Sequence, residues 1–196
     1  VKLSYLAKFV ARYGLAGIEK LVGIPGSVGG SVAMNAGAEG AEISQVLRSI
    51  KFMTLDGEVK TYSKNELVFA YRKTTFPSKD GIVIEAELDL EKGETSAIYR
   101  EMDKYLSRRG STQPLTMPNS GSIFKNPDGE KAGRLIELAG LKGCRIGGAS
   151  VSIKHANFIV NKGGALAEDV IRLIKHIQTV VEEKTSVKLE QEIIVI

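Results

Sequence analysis

The 196-residue chain has no tryptophan, a single cysteine (Cys144), two histidines and five prolines. One cysteine cannot close an intrachain disulfide and has no thiol neighbours for a metal cluster, so the fold must rest on a packed core. A chain of this size without a disulfide framework suits a reducing compartment, and a cytoplasmic setting is expected. Cys144 reads as a small, half-buried thiol. With His155 and His176 as the only imidazoles, a histidine-based metal site is not expected. No apolar run approaches the roughly 20 residues needed to cross a bilayer, so no membrane partner is expected. Charge of either sign is scarce in excess: 27 Lys and Arg against 23 Asp and Glu give +4. The surplus is spread along the sequence, which argues against a dedicated nucleic-acid binder. A starting methionine and a signal peptide are also missing. A chain that opens on Val1-Lys2-Leu3 reads as a piece of something longer.

What the chain has in abundance is glycine. Of 21 glycines, eight lie between residues 14 and 40 and six between 140 and 164. With 43% hydrophobic and 26% charged residues, the composition is that of a globular protein. Leu3, Leu6, Phe9, Val10 and Tyr13 have helical spacing, and Gly14 ends the run. A glycine-dense loop is expected from there to Gly40. Residues 46–53 and 58–62 alternate as two strands, joined at a hairpin turn on Asp56-Gly57. Ser63 and Glu66 have capping-box spacing, which predicts a short helical turn before Tyr71-Arg72. Residues 82–90 form a further strand. Residues 94–109 read as a helix stopped by Gly110. After a polar stretch over 111–127, the pattern predicts a helix over 132–139, a strand over 158–160, a long amphipathic helix over 167–184 and a last strand over 189–196. Hairpin-type connections with interspersed helices favour an α+β fold over a regular parallel stack. The expected boundary divides residues 1–107 from 108–196.

Five features have the makings of a site. Gly23 to Gly40 (GIPGSVGGSVAMNAGAEG) holds six glycines and three alanines, leaving the backbone bare. Such turns let a ligand approach consecutive N–H groups, which suits a phosphate or the polar edge of a flavin; a tightly packed structural loop would look the same. It is not a Rossmann fingerprint, since no strand leads into it and Pro25 interrupts the turn, and it lacks the Gly-Lys-Ser/Thr of a P-loop. Pro118 to Pro127 (PNSGSIFKNP) gathers two serines, two asparagines and a lysine on one loop, which can hold a phosphate or carboxylate or be an ordinary polar turn. Arg72 is suited to bidentate contact with a carboxylate, although a lone arginine is commonly a surface residue. Glu190 and Glu192, two apart before an apolar run, would share one face of a strand, toward a cleft or toward solvent. His155, alone among polar neighbours, fits a satisfied structural histidine as well as a ligand contact.

Taken in order, GIPGSVGGSVAMNAGAEG, FAYRKTTF, NSGSIFKNP, AGRLIELAGLKGCRIGGASVSIKHANFIVN and LEQEI resemble the UDP-N-acetylenolpyruvoylglucosamine reductase family over the whole chain. The resemblance implies the second lobe of a two-lobed FAD-binding domain of the vanillyl-alcohol-oxidase-like (PCMH) type over residues 1–107. A C-terminal α+β substrate-binding domain would occupy 108–196. It implies FAD and NADPH as cofactors. The implied reaction is reduction of the enolpyruvyl ether of UDP-N-acetylglucosamine to UDP-N-acetylmuramate in peptidoglycan precursor synthesis, with hydride added at C3 and a proton at C2. By resemblance Arg72 contacts the enolpyruvyl carboxylate, Ser122 donates the proton and Glu192 is the essential C-terminal glutamate. Lys125 and Asn126 resemble residues that hold the diphosphate and sugar, and His155 stands at a variable substrate-contacting position. Gly26, Ser27, Gly29, Gly30 and Asn35 would belong to the flavin loop.

Three departures from the family pattern stand out. The glycine-rich loop for the FAD pyrophosphate is absent, so an N-terminal lobe of the same protein is expected as a partner. Ile194 stands where an arginine is common, and no insertion with a substrate-stacking tyrosine lies between Glu94 and Arg109, as in the shorter subclass. Two other readings are compatible with parts of the pattern. One is another flavoprotein oxidoreductase of the same superfamily, which should lack NSGSIFKNP together with LEQE. The other is a nucleotide-sugar-binding fragment with no activity of its own.

Overall fold

The computed structural model describes residues 1–78 and 80–195, which divide into two compact units, Val1–Arg108 and Arg109–Ile196. In the first unit, α1 (Leu3–Ala11) turns Leu3, Ala7, Val10 and Ala11 inward, and the chain leaves it through Gly14 in the left-handed region. Next come β1 (Leu15–Ala16), a 3₁₀ turn (Glu19–Leu21), α2 (Val28–Ala33), β2 (Gly37–Ala38), β3 (Ala41–Glu42) and α3 (Ile43–Val46). The central hairpin is β4 (Leu47–Thr54) and β5 (Val59–Ser63), followed by a 3₁₀ turn (Lys64–Glu66) closed by the expected Ser63/Glu66 capping box. A second hairpin, β6 (Val68–Ala70) and β7 (Lys73–Thr75), precedes β8 (Gly81–Leu88), β9 (Glu91–Lys92) and α4 (Thr95–Thr112).

The main sheet has the order β5-β4-β8, antiparallel throughout, with Ile50 opposite both Tyr62 and Ala86. Its inner face carries Leu47, Ile50 and Phe52 into a core with Leu3, Ile18, Leu21, Val32, Ile43, Ile98 and Met102. Phe52 stacks on Phe76 at 4.8 Å between ring centroids. Each such fully buried side chain contributes about 1.5–3 kcal/mol relative to an exposed one.

The second unit contains β10 (Asn119–Ser122), α5 (Ala132–Leu138), β11 (Arg145–Ile146), β12 (Ala149–Val151), β13 (Phe158–Asn161) and α6 (Ala167–Thr185). Its four strands pair antiparallel in the order β10-β13-β12-β11. From α6, Leu173, Ile174, Ile177 and Val181 form one buried stripe. That stripe meets Phe124, Ile136, Val151 and Ile159 in a separate core. Asp169 ties the start of α6 to the β11–β12 turn by accepting N–H bonds from Leu166 (3.1 Å) and Gly148 (3.2 Å). Those two N–H groups hold its carboxyl below the usual carboxylate range.

Strand pairs are antiparallel among the described residues, which fits an α+β fold. Three local expectations need correction. The glycine-dense segment is not all loop, because Val28–Ala33 is helical. Its weak helix propensity is overridden by a cap and a packing contact. Ser27 accepts the N–H of Gly30 at 3.0 Å, and Gly29 lies so close to β8 that an added Cβ would sit 2.8 Å from the Val83 carbonyl oxygen. Helix α4 runs through Gly110 to Thr112, since the Gln113 N–H reaches the Arg109 carbonyl and Gly110 does not turn left-handed. A glycine stops a helix only where it takes that conformation. The expected final strand is reduced to a single bridge, Phe124 to Gln191; Ile196 lies outside the described residues.

These contacts set opposite outcomes for two glycine-to-alanine changes. Gly29→Ala must push α2 off β8 and should lower the midpoint of thermal unfolding, at a cost of about 1–3 kcal/mol. Gly110→Ala, in exposed helix with nothing within 4 Å of the new methyl, should raise it through a stabilisation of about 0.5–1 kcal/mol.

Candidate functional site

The first unit brings two of the predicted stretches together. Gly26 has φ +123°, with nothing within 4 Å of where a side chain would begin. Its carbonyl accepts the N–H of Leu3, and Val28 donates to the Val1 carbonyl, so the loop is laid against the start of α1. A cleft of about 340 Å³ opens there, lined by Val1, Leu6, Ser27, Val28, Gly29 and the β8 residues Val83 to Ala86. Gly30 has a different function in the fold: an added Cβ would sit 3.2 Å from the Ser27 hydroxyl that caps α2.

Arg72 sits at the tip of the β6–β7 hairpin with φ +58°, a left-handed conformation unusual for a side-chain-bearing residue. Its Nη2 donates to the Gly37 carbonyl at 3.0 Å, and the guanidinium lies 4.6 Å over the Tyr71 ring. Two further bonds staple the hairpin to the glycine-rich segment. Thr74 Oγ1 donates to the Val32 carbonyl at 2.5 Å, and Asn35 Nδ2 donates to the Ala70 carbonyl at 3.1 Å. Asn35, expected as a flavin-loop residue, is fully buried; its amide also donates to Glu42 Oε2 at 2.7 Å and accepts the Ser44 N–H. Its work is internal, bracing the loop that carries Arg72. The hairpin itself was missed from the sequence, although the β-branched pair Thr74-Thr75 after Tyr71-Arg72 carries a strand signal.

The second unit gathers Ser122, Lys125, Glu190 and Glu192. Segment 123–125 is hydrogen-bonded along both edges. On one edge, Glu192 N–H donates to the Ile123 carbonyl (2.8 Å) and Lys125 N–H to the Glu190 carbonyl (2.9 Å), flanking the Phe124–Gln191 bridge. That register sets Lys125 opposite Glu190 and Ile123 opposite Glu192, so Lys125, Glu190 and Glu192 share a face. Lys125 Nζ pairs with the Glu190 carboxylate. On the other edge the partner is Asn157, through its backbone carbonyl to Ile123 N–H and through its side chain to Phe124. Ser122 lies directly before this segment, at the end of β10 and after Gly121 with φ +83°.

Asn126 and His155 are placed by local structure. Asn126 Oδ1 accepts the Ala132 N–H at 3.1 Å and so caps α5. His155 is half-buried, its ring edge-on to Phe158 at 4.8 Å, and its Nδ1 accepts the Asn157 N–H at 3.2 Å. Burial, with a smaller contribution from the Lys142 charge, pulls its pKa below the usual imidazole value. Cys144 is half-buried as expected. No group of three or more His, Cys, Asp or Glu suited to a metal ion occurs among the described residues, and no described helix is long and apolar enough to cross a membrane.

Comparison with known proteins finds two family matches along the chain. Residues 1–63 match the family described as "FAD binding domain". Residues 113–196 match the family described as "UDP-N-acetylenolpyruvoylglucosamine reductase, C-terminal domain". The class is thus a FAD-binding domain followed by a reductase C-terminal domain. Relatives named UDP-N-acetylenolpyruvoylglucosamine reductase include one from Listeria innocua, 48% identical over 195 residues, covering 100% of this chain and 65% of its own. One from Halalkalibacterium halodurans is 45% identical over 188 residues, covering 96% and 62%. The crystal structure of UDP-N-acetylenolpyruvylglucosamine reductase (MurB) from Thermus caldophilus superposes with a TM-score of 0.88 at 41% identity, covering 98% of this chain and 68% of that one. The chain belongs to the UDP-N-acetylenolpyruvoylglucosamine reductase family. It spans 65% and 62% of the length of the two relatives.

The depressed pKa of His155 has a consequence for stability. Below the unfolded-state value near 6.5 the unfolded chain binds a proton that the folded chain resists, so this residue makes stability fall as pH drops from 7 toward 5. His155→Gln should flatten that part of the melting-temperature profile, measured by thermal unfolding across the same pH range.

Proposed function

We propose that the protein is an NADPH-dependent flavoenzyme that reduces the enolpyruvyl ether of UDP-N-acetylglucosamine to UDP-N-acetylmuramate, a cytoplasmic step of peptidoglycan precursor synthesis that serves cell-wall growth and division. The observation that carries this reading is the backbone ladder that sets Glu192 opposite Ile123, the residue after Ser122, and Lys125 opposite Glu190, within a family whose named members are such reductases.

FAD fits the first unit. The cleft beside Gly26 to Gly29 offers bare backbone and an apolar wall from β8, which suits a flat, partly apolar ring with polar edges. Ser27 and Gly29 line that cleft, Gly26 and Gly30 stand beside them in the same loop, and Asn35 braces the chain that follows. When bound and reduced by NADPH, FAD supplies the hydride for C3 of the enolpyruvyl group.

The remaining chemistry belongs to the protein side chains. Addition of hydride at C3 leaves negative charge spread over C2 and the adjacent carboxylate. Arg72, already oriented by Gly37 and Tyr71, holds that carboxylate and stabilises the charge as it develops. Glu192, sharing or carrying a proton, polarises the same group. Ser122 holds its hydroxyl proton for C2. A serine is a weak acid at neutral pH, but a carbanion-like carbon is basic enough to take its proton. Lys125 exchanges Glu190 for the substrate diphosphate, and Asn126 and His155 contact the nucleotide-sugar portion.

Replacement of Ser122 by alanine should lower turnover of the UDP-enolpyruvyl sugar by about 10²- to 10⁴-fold while leaving its binding nearly intact. Steady-state kinetics and a binding isotherm on the full-length protein measure both. Full turnover in Ser122→Ala would refute the assigned proton donor, and UDP-sugar binding by protein that never carries flavin would favour a binding module.

A further inference from the structure

We propose that Asn157 is a positioning residue for the reaction, acting as a one-residue substitute for a β-strand that keeps Ser122 aligned. This inference rests on the reading of Ser122 as proton donor given above. Asn157 is 4% exposed, and both polar atoms of its side chain are spent on one residue: Oδ1 accepts the Phe124 N–H at 3.0 Å, and Nδ2 donates to the Phe124 carbonyl at 2.8 Å. Its own backbone carbonyl accepts the Ile123 N–H at 2.9 Å. A carboxamide used in this way reproduces the donor–acceptor pair of a neighbouring strand.

The need for such a substitute follows from the topology. The β10–β13 ladder pairs Ser122 with Phe158, where β13 begins, and its register is irregular between Asn119 and Ser122. Beyond that point the chain carrying Ile123 and Phe124 has lost its strand partner on this edge. Phe124 is 1% exposed, so its N–H and carbonyl are shut off from water. Left unpaired, each such group costs about 1–3 kcal/mol. Upstream, Gly121 turns left-handed and its N–H is bonded to Asn119 Oδ1 at 2.9 Å, within the irregular part of the ladder. The serine is therefore held at its own position by Phe158 and from downstream by the clamp on residues 123 and 124. The same clamp fixes the Ile123 carbonyl to which the Glu192 N–H is bonded, so proton donor and glutamate are indexed to one another through it.

Asn157→Asp tests this in the full-length, flavin-loaded protein. The aspartate keeps the acceptor toward Phe124 N–H but sets an anionic oxygen against the Phe124 carbonyl. Protonated, it regains the donor. A displacement of about 1 Å in a reacting group can cost on the order of 10²-fold. Oxidation of the reduced flavin by substrate should therefore slow by about 10- to 10²-fold, with flavin reduction by NADPH unchanged. The loss should shrink as pH is lowered, because a buried carboxyl protonates above the ordinary value near 3.9. In the Ser122→Ala background the same change should cost little more, since both act on one step. If Asn157→Asp does not fold, Asn157→Ser carries the same comparison without the pH arm. Losses that multiply with Ser122→Ala, slow both half-reactions equally or ignore pH would overturn the positioning role. A wild-type protein unable to reduce the enolpyruvyl sugar, or a fully active Ser122→Ala, would overturn the function reading instead.

Discussion

The hydrogen-bonded segment Ile123 to Lys125 is the constraint on which the second unit's chemistry depends. It is buried at Ile123 and Phe124, so its peptide groups must be paired within the protein. One edge is paired by the chain near Glu190 to Glu192 and the other by Asn157. Ser122 enters this segment, Lys125 leaves it, and Glu192 is bonded across it. A requirement of burial thus becomes the device that sets Lys125 and Glu192, 67 positions apart in sequence, on one face. The α6 stripe and the four-stranded sheet supply the core that keeps water away from these bonds.

The first unit solves a similar problem with small residues. A helix that begins Val-Gly-Gly-Ser is poor by propensity, but only such a helix can lie with its backbone almost touching β8. The helix start at Ser27 to Gly29 then forms one side of a cleft with β8. Thr74 ties the β6–β7 hairpin to that helix, and Asn35 and Arg72 tie it to the chain just after the helix, so the loop geometry and the arginine are parts of one arrangement. The strained left-handed conformation of Arg72 is held by these bonds.

Much of this was legible in the amino-acid order. Helical spacing found α1, α5 and α6, alternation found β4, β5 and β8, and Asp56-Gly57 marked its turn, because these features are decided by local chemistry. The motif order also pointed to the family. What could not be read locally depended on partners far along the chain. The helicity of Val28–Ala33 required β8, and the reduction of the last strand to a bridge required the 123–125 segment. Polar residues were the hardest to assign. Asn35, Asn126 and Asn157 look alike in sequence, yet one braces a loop from inside the core, one caps α5 and one replaces a strand.

The proposed function requires a bound flavin that passes a hydride to an enolpyruvyl sugar. Anaerobic stopped-flow absorbance of the full-length protein tests it most directly. The account predicts a yellow protein whose flavin band near the blue end of the visible is bleached by NADPH and restored when the UDP-enolpyruvyl sugar is added, with UDP-N-acetylmuramate formed in equal amount. A colourless protein, or a bleached band that the enolpyruvyl sugar leaves unchanged, would contradict it.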